Sequence, residues 1–455
     1  MSAFCRNAVR MWALLLALSL LGGCTSPAVE ETPSPMPESP VPTATASVEE
    51  SAAPLTREEA WLEDIDAFSE GYKTNHIDLF YWRDEAFFDQ QVEELKTQVG
   101  DMTDDEIVVS LRRIINSMQD GHSRVSSFLT PTDRTFPLQV QLLEDDKVYV
   151  INTAEGDFPD YSDCLYAEIT AINGMPMEEV QDLVFPVIFG ERYANAQRAY
   201  FPYYFYPRLL TAAGVPDQDG TFTFTFRNEA GESYEKIIET IPSDAEYQWS
   251  VEYPMLFTTN TGSNWYEFWE DEALLYFACN ICWDKDGTLE QTVNEILDHL
   301  KAREVETLVI DLRNNPGGDL TTIHPLFLLV DNLRLNPAYY KELYIIIGGN
   351  TGSAGSMYTI ELRQLDNSVV LGTPAGEGYP DITVAVPFTL PNSGLECNYS
   401  TAFVSGDLTW YLKGDTLPQI EFGVSTIEPD IYIANDIDAW KGQYDNVLNY
   451  ILEHT

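Results

Sequence analysis

The chain has 455 residues, and its 73 Asp and Glu residues against 25 Lys and Arg residues give a formal net charge of −48. This balance argues against a nucleic-acid-binding protein and against adsorption to anionic lipid head groups, because both partners require a basic face. A hydrophobic content of 44%, with 25 Tyr, 22 Phe and 9 Trp, excludes a wholly disordered protein. The length suggests about two to four domains.

Residues 1–23 are predicted to be a lipoprotein signal peptide. Arg6 and Arg10 form a positive n-region, an apolar stretch follows, and the segment ends in Leu-Gly-Gly before Cys24. This ending resembles the lipobox of bacterial lipoproteins, in which the cysteine becomes the lipidated first residue. An ordinary secretory signal with an incidental cysteine is the alternative. We therefore expect an extracytoplasmic protein that a lipid on Cys24 holds at the cell membrane.

The next two segments differ in composition. Residues 24–55 are rich in Pro, Ser, Thr and Glu and nearly empty of large apolar side chains, so we predict a disordered tether. Residues 56–135 are predicted to be helical and to carry the motif DGHS. Two capping-box patterns, which begin at Thr56 and Thr103, each precede an amphipathic run.

Residues 136–245 are predicted to form a β-rich domain. Their apolar alternation indicates two strands around an acidic turn at the start and a hairpin at the end. Between these lie a strand, the turn Asn173-Gly174 and a short helix, an order that resembles PDZ domains. We expect a PDZ-like domain with an aromatic-rich insertion.

Residues 246–455 alternate between apolar strand-like runs and helical runs, which predicts an α/β core. Cys279 and Cys282 lie in one such run with metal-ligand spacing. Neither a second such pair nor a neighbouring His pair accompanies them, so we predict that both are core residues. We expect no metal ion and no other cofactor.

Two glycine-rich turns after the predicted strands have features of a catalytic site. In DLRNNPGGDL, Gly317 and Gly318 follow a buried strand and leave backbone N–H groups uncovered, which suits oxyanion binding. In GGNTGSAGSM, a strand, a turn with Ser353 and a helix succeed one another, as in a nucleophile elbow. Ser356 competes as the nucleophile or caps the helix. A phosphate-binding loop is the alternative, although no Lys follows as in a Walker motif.

His122 is the candidate general base. Of the five histidines, it alone follows a helix-ending Asp-Gly, and imidazole titrates near neutral pH. A single histidine is more often structural than catalytic. Its joint occurrence with the two glycine-rich turns favours a hydrolase with a serine nucleophile.

Together, these segments resemble the tail-specific, or C-terminal processing, serine protease family and its tricorn-core relatives. LVIDLRNNPGGDL is similar to the family's core strand and oxyanion turn, and DGHS to the His motif of the tricorn-like branch. The resemblance implies an α/β fold with a crotonase/Clp-protease-like ββα core, a PDZ-like β-rich domain and an N-terminal helical domain. It also implies Ser353 as the nucleophile and an oxyanion hole formed by Gly317 or Gly318 and Ala354.

The chain departs from the Ser–Lys dyad of the bacterial processing proteases, because Gly378 stands 25 positions after Ser353, where they have Lys. His122 therefore serves as the base, as in the tricorn-like branch, which also uses a glutamate on a late strand. IEFGVSTIEPDI resembles that strand, so Glu421 is the candidate carboxylate that orients the imidazole. Glu377 and Asp407 are weaker contenders.

These expectations describe an extracytoplasmic, lipid-anchored serine peptidase that acts on peptide or protein substrates and binds no nucleic acid. The PDZ-like domain would capture substrate ends or gate the site. A non-catalytic ligand-binding lipoprotein on the same fold and an esterase with the same triad are the alternatives. The joint presence of Ser353, His122 and a late glutamate argues against a pure binder.

Overall fold

The computed structural model describes residues 54–126, 134–216, 220–284 and 286–455. The predicted signal peptide, Cys24 and nearly all of the predicted tether lie outside the described residues. Within the described ranges, no helix combines the length and the apolar character needed to cross a bilayer.

Helices dominate the first described segment and alternate with strands thereafter. The helices are α1 Arg57–Asn75, α2 Glu85–Gln98, α3 Asp104–Ser117, α4 Met177–Ile188, α5 Ala194–Tyr200, α6 Pro207–Ala213, α7 Thr288–Ala302, α8 His324–Leu335, α9 Ser353–Leu362, α10 Ile437–Gly442 and α11 Asn446–His454. The strands are β1 Arg124–Val125, β2 Arg134–Thr135, β3 Leu138–Leu142, β4 Val148–Glu155, β5 Glu168–Ile172, β6 Met175–Pro176, β7 Phe222–Arg227, β8 Ser233–Ile238, β9 Ile241–Pro242, β10 Gln248–Trp249, β11 Trp265–Trp269, β12 Leu274–Ala278, β13 Thr307–Asp311, β14 Glu342–Ile347, β15 Ser368–Gly372, β16 Asp381–Thr389, β17 Glu396–Val404, β18 Trp410–Leu412 and β19 Ile431–Tyr432.

The first three helices confirm the prediction made from the capping boxes. The Thr56 hydroxyl accepts the Glu59 amide, and the Glu59 carboxylate accepts the Thr56 amide in return. Thr103 begins α3 in the same way. After α3, the chain turns into β1, which pairs antiparallel with β17. This pairing brings the residues between α3 and β1 against the β16–β17 hairpin.

The β-rich segment forms an antiparallel sheet in the order β10-β4-β5-β7-β8, with β3 added to β4 and β6 to β5. The strand, turn and helix predicted around Asn173-Gly174 are β5, a turn and α4. The aromatic-rich insertion forms α5 and α6. Its buried Phe205 ring packs on Phe136 and Phe224, and Phe201 packs on Phe205. One hydrophobic core joins this sheet to α1, α2 and α3. The predicted domain boundaries stay predictions.

The last segment contains a sheet in the order β11-β12-β13-β14-β15-β19, in which the strands from β12 onward are parallel. Alternate side chains of these strands face α7, α8 and α9 on one side and α11 on the other. The predicted α/β fold class is confirmed. Because β13 and β14 are neighbours, the two glycine-rich turns that follow them meet at one edge of the sheet.

Candidate active site

Ser353 is the first residue of α9, directly after the turn that follows β14. Its φ of 47° lies in the left-handed region, which non-glycine residues rarely adopt and which marks a strained elbow. Ser353 is partly exposed, whereas Ser356 is buried and donates its hydroxyl to the Glu377 backbone oxygen at 2.5 Å. Ser353 is therefore the serine of this turn that substrate can reach.

The His122 imidazole reaches the Ser353 hydroxyl, although 231 positions separate the two residues. The distance from Nε2 to Oγ is 3.0 Å, which is a hydrogen bond and permits direct proton transfer. The Thr383 hydroxyl lies 3.3 Å from the same nitrogen. The imidazole is 13% exposed, so it is shielded from solvent but still borders the site.

Two buried carboxylates flank the imidazole. Asp381 Oδ2 lies 3.9 Å from Nδ1 of His122, and Glu377 Oε2 lies 3.9 Å from its Nε2. Nδ1 is buried and has no hydrogen-bond partner among the described residues. The Glu377 carboxylate accepts the Ser353 amide at 2.8 Å, so it anchors the nucleophile's backbone. Asp381 is thus the carboxylate that faces Nδ1.

The structure does not bring Glu421 to the imidazole. Glu421 is exposed in the irregular stretch between β18 and β19, and within the described residues no hydrogen bond or ion pair joins it to His122. Asp407 is also exposed, and its carboxylate is bonded by Ser405 and Thr409 of its own turn. Of the three carboxylates that the sequence suggested, only Glu377 lies beside the Ser–His pair.

Asp381 is held by side chains that the sequence analysis did not single out. The Tyr193 hydroxyl donates to its Oδ1 at 2.5 Å, and the buried Arg192 guanidinium lies 3.9 Å from the same oxygen. The pKa of Asp381 is raised to about 7, mainly by burial and also by the Glu377 charge, while His122, Arg192 and the Tyr193 hydroxyl oppose the rise. This carboxyl group therefore changes charge near neutral pH, which is typical of functional sites.

The Gly317-Gly318 turn lies against the nucleophile. Gly317 has a φ of 104°, and a Cβ there would lie 2.5 Å from the Cβ of Ser353, so no larger residue fits. The Gly317 amide donates to Asn315 Oδ1 at 2.9 Å and is therefore occupied. The amides of Gly318 and Ala354 donate no hydrogen bond within the described residues. These two amides, rather than that of Gly317, are left to bind an oxyanion.

Two groups of side chains have the residue types of a metal site. Cys279 and Cys282 are free and buried, which confirms their prediction as core residues. Ligand atoms of His122, Glu377 and Asp381 all lie within 4.8 Å of one another, so these three side chains could hold a metal ion. An ion bound to either ring nitrogen would leave the imidazole unable to take the Ser353 proton, because Nε2 would hold either the ion or the ring proton. The absence of a metal from the working site stays a prediction.

Comparison with known proteins gives one partial family match. Residues 282–331 match the model for peptidase family S41. That segment contains the turn of Gly317 and Gly318, but neither Ser353 nor His122. No curated protein matches the chain.

Solved structures give a match over most of the chain. Mature CPAF in complex with lactacystin is 13% identical, with a TM-score of 0.59 over 87% of this chain and 97% of that one. Mature CPAF in another structure is 12% identical, with a TM-score of 0.58 over 87% and 96% of the two chains. A putative S41 protease from Bacteroides fragilis is 14% identical, with a TM-score of 0.35 over 74% and 87%. The chain thus shares its fold with CPAF, and its residues 282–331 share the sequence pattern of peptidase family S41.

Proposed function

We propose that the protein is a serine peptidase with Ser353 as the nucleophile, His122 as the general base and Asp381 as the carboxylate partner. The observation that carries the proposal is the 3.0 Å hydrogen bond between the imidazole and the strained, accessible serine. A protein that only binds ligands has no need of a hydroxyl, an imidazole and buried carboxylates converging on one point.

In acylation, Ser353 Oγ attacks the carbonyl carbon of the scissile peptide bond while His122 Nε2 takes the hydroxyl proton. The carbonyl oxygen becomes an oxyanion, to which the amides of Gly318 and Ala354 donate, and the positive end of α9 adds to its stabilisation. The imidazolium then gives its proton to the leaving amine, the C–N bond breaks, and an ester on Ser353 remains. Water hydrolyses that ester with the same imidazole as base.

Asp381 would stabilise the imidazolium that forms in both steps. Its Oδ2 is 3.9 Å from Nδ1, so a movement of about 1 Å gives a hydrogen bond. Catalytic hydrogen bonds often tighten in this way when substrate binds. With a pKa of about 7, Asp381 changes from mostly protonated to mostly ionised as the pH rises through neutrality, and activity should rise over the same range.

We also propose that substrates are extended peptides that enter beside the β-rich domain. A cavity of about 600 Å³ lies between β3 and the residues that follow β13, β14 and β15. Of the described strands, only β4 pairs with β3, so the other edge of β3 can accept an extended chain by strand addition.

Export and lipid anchoring are part of the same proposal. They rest on the charged n-region, the apolar stretch and the sequence before Cys24. An anchor would confine the peptidase to peptides and proteins at the cell surface. A Cys24→Ala variant of the full chain should lose incorporation of labelled palmitate and leave the membrane fraction. Palmitate incorporation that persists in this variant would exclude the anchor.

The peptidase proposal is tested by replacing the nucleophile. Ser353→Ala should abolish hydrolysis of a fluorogenic peptide while leaving the melting temperature close to that of the wild type. The control is Ser233→Ala, which alters an exposed serine of β8 and should keep full activity. Full peptide hydrolysis by the Ser353→Ala variant would exclude the mechanism.

A further inference from the structure

A second histidine and an aspartate form a buried pair behind the catalytic imidazole. His76 follows α1 and Asp120 follows α3, and both side chains are 1% exposed. Nε2 of His76 lies 2.8 Å from Asp120 Oδ2. Burying two such polar groups costs free energy unless both are fully hydrogen-bonded. Their presence in the interior therefore suggests that they have a function there.

The protonation state of the pair follows from its partners. The Asp78 amide donates to Nδ1 of His76 at 3.0 Å, so Nδ1 is an acceptor and the ring proton is on Nε2. Nε2–H therefore donates to Asp120. Burial alone would raise the pKa of the Asp120 carboxyl, but His76, His122 and the Ser123 hydroxyl hold it well below its usual range. Asp120 is thus a buried carboxylate that accepts a hydrogen bond from the His76 ring.

Asp120 connects this pair to the catalytic base. Its Oδ1 accepts the backbone amide of His122 at 2.8 Å, and the imidazole of the same residue reaches Ser353. The intervening Gly121 is confined, because a Cβ there would lie 3.0 Å from the Tyr193 ring and 3.3 Å from Glu377. The backbone that carries the imidazole is therefore clamped on both sides.

We propose that His76 and Asp120 are positioning residues of the active site: the pair fixes the backbone of His122 and supplies a buried negative charge that favours the imidazolium. The role rests on the proposed peptidase chemistry. The other charged groups that face His122 are Glu377 and Asp381, which are themselves paired with Arg124 and Arg192.

Two substitutions at His76 separate hydrogen bonding from packing. His76→Leu fills a similar volume but leaves Asp120 without its donor, whereas His76→Gln retains an N–H donor. We expect His76→Leu to lower kcat by about 10- to 100-fold with little change in KM, as loss of a supporting hydrogen bond does in other sites. His76→Gln should recover most of that loss. Equal losses in both variants, or no loss in either, would overturn the role.

Asp120→Asn tests the buried charge together with its hydrogen bond to His76. The amide oxygen can still accept the His122 backbone N–H, but the negative charge is gone and the amide nitrogen replaces the oxygen that accepts His76 Nε2–H. We expect kcat to fall at least as far as in His76→Leu, with little change in KM, because this variant loses the charge as well as the bond. A kcat above that of His76→Leu would overturn the electrostatic part of the role. The control is His299→Gln, which alters a histidine that pairs with Glu304 at the surface and should keep the wild-type kcat.

The two proposals fail in different ways. If Ser353→Ala retains activity, the peptidase chemistry itself is wrong. If Ser353→Ala is inactive while His76→Leu and Asp120→Asn match the wild type, only the positioning role is wrong. Thermal denaturation of each variant shows which variants fold. If His76→Leu does not fold, the kcat of Asp120→Asn, the substitution closest in shape to the original residue, decides whether the positioning role holds.

Discussion

Replacing Asp381 with Asn removes one charge 3.9 Å from Nδ1 of His122 and keeps the shape of the side chain. At an effective dielectric constant of about 20, that charge stabilises the imidazolium by about 4 kcal/mol. This value is an upper estimate, because Arg192 lies 3.9 Å from the same carboxyl group. At about 1.4 kcal/mol per factor of ten, we expect kcat/KM to fall by about 100- to 1,000-fold when the wild-type carboxyl is ionised.

The loss should depend on pH, because burial raises the pKa of Asp381 to about 7. About a tenth of the wild-type molecules carry the charge at about pH 6, and about nine tenths carry it at about pH 8. The ratio of wild-type to variant activity should therefore rise about tenfold across this range.

The stability of the wild type should fall with rising pH, whereas its activity should rise. The folded pKa of about 7 lies above the ordinary value of 3.8, so the stabilising protonation is complete below the ordinary value. It is lost as the pH rises through about 7. Asp381→Asn, which is always neutral, should therefore melt at a higher temperature than the wild type above neutral pH.

The assay is initial-rate hydrolysis of a fluorogenic peptide across neutral pH, with thermal denaturation of the same samples. Asp407→Asn is the matched control, because this exposed carboxylate is bonded by its own turn. It should follow the wild type in both measurements. A ratio that does not change with pH, or an Asp381→Asn variant as active as the wild type, would refute the reasoning.

Four further outcomes are expected. Gly317→Ala should lose activity and stability, because the new Cβ would lie 2.5 Å from the Cβ of Ser353; wild-type activity and melting would contradict the packing. Glu421→Gln should keep a kcat close to that of the wild type; a large drop in kcat would support the catalytic role that the sequence predicted for Glu421. Thr103→Ala should cost about 1 kcal/mol of stability in urea unfolding without changing kcat. Chelators should leave activity intact, while added Zn²⁺ should inhibit the wild type more than Asp381→Asn; loss of activity with chelator would indicate a required metal.

Most of the correct predictions came from short sequence patterns that form local structure. The capping boxes at Thr56 and Thr103 and the buried strands before the glycine-rich turns depend on a few neighbouring residues. The approach of His122 to Ser353 was predicted from a family motif and not from local physics, since 231 positions separate them.

The carboxylates were harder to predict because their role depends on long-range packing. Glu421 was chosen because IEFGVSTIEPDI resembles the late strand of the tricorn-like branch, but the residue falls in an irregular stretch between β18 and β19 rather than on a strand. Asp381 begins β16 and reaches the imidazole only through the pairing of β16, β17 and β1. His76 gave no sequence signal, since its partner Asp120 lies 44 positions away.

The most direct test of the proposed chemistry is to identify, by mass spectrometry, the residue that a fluorophosphonate modifies. We expect a single adduct on Ser353 in the wild type and none on that segment in Ser353→Ala. His122→Ala should slow adduct formation by about 100-fold or more, because the serine loses its base. An adduct on Ser356, or labelling at the wild-type rate without His122, would contradict the Ser–His mechanism.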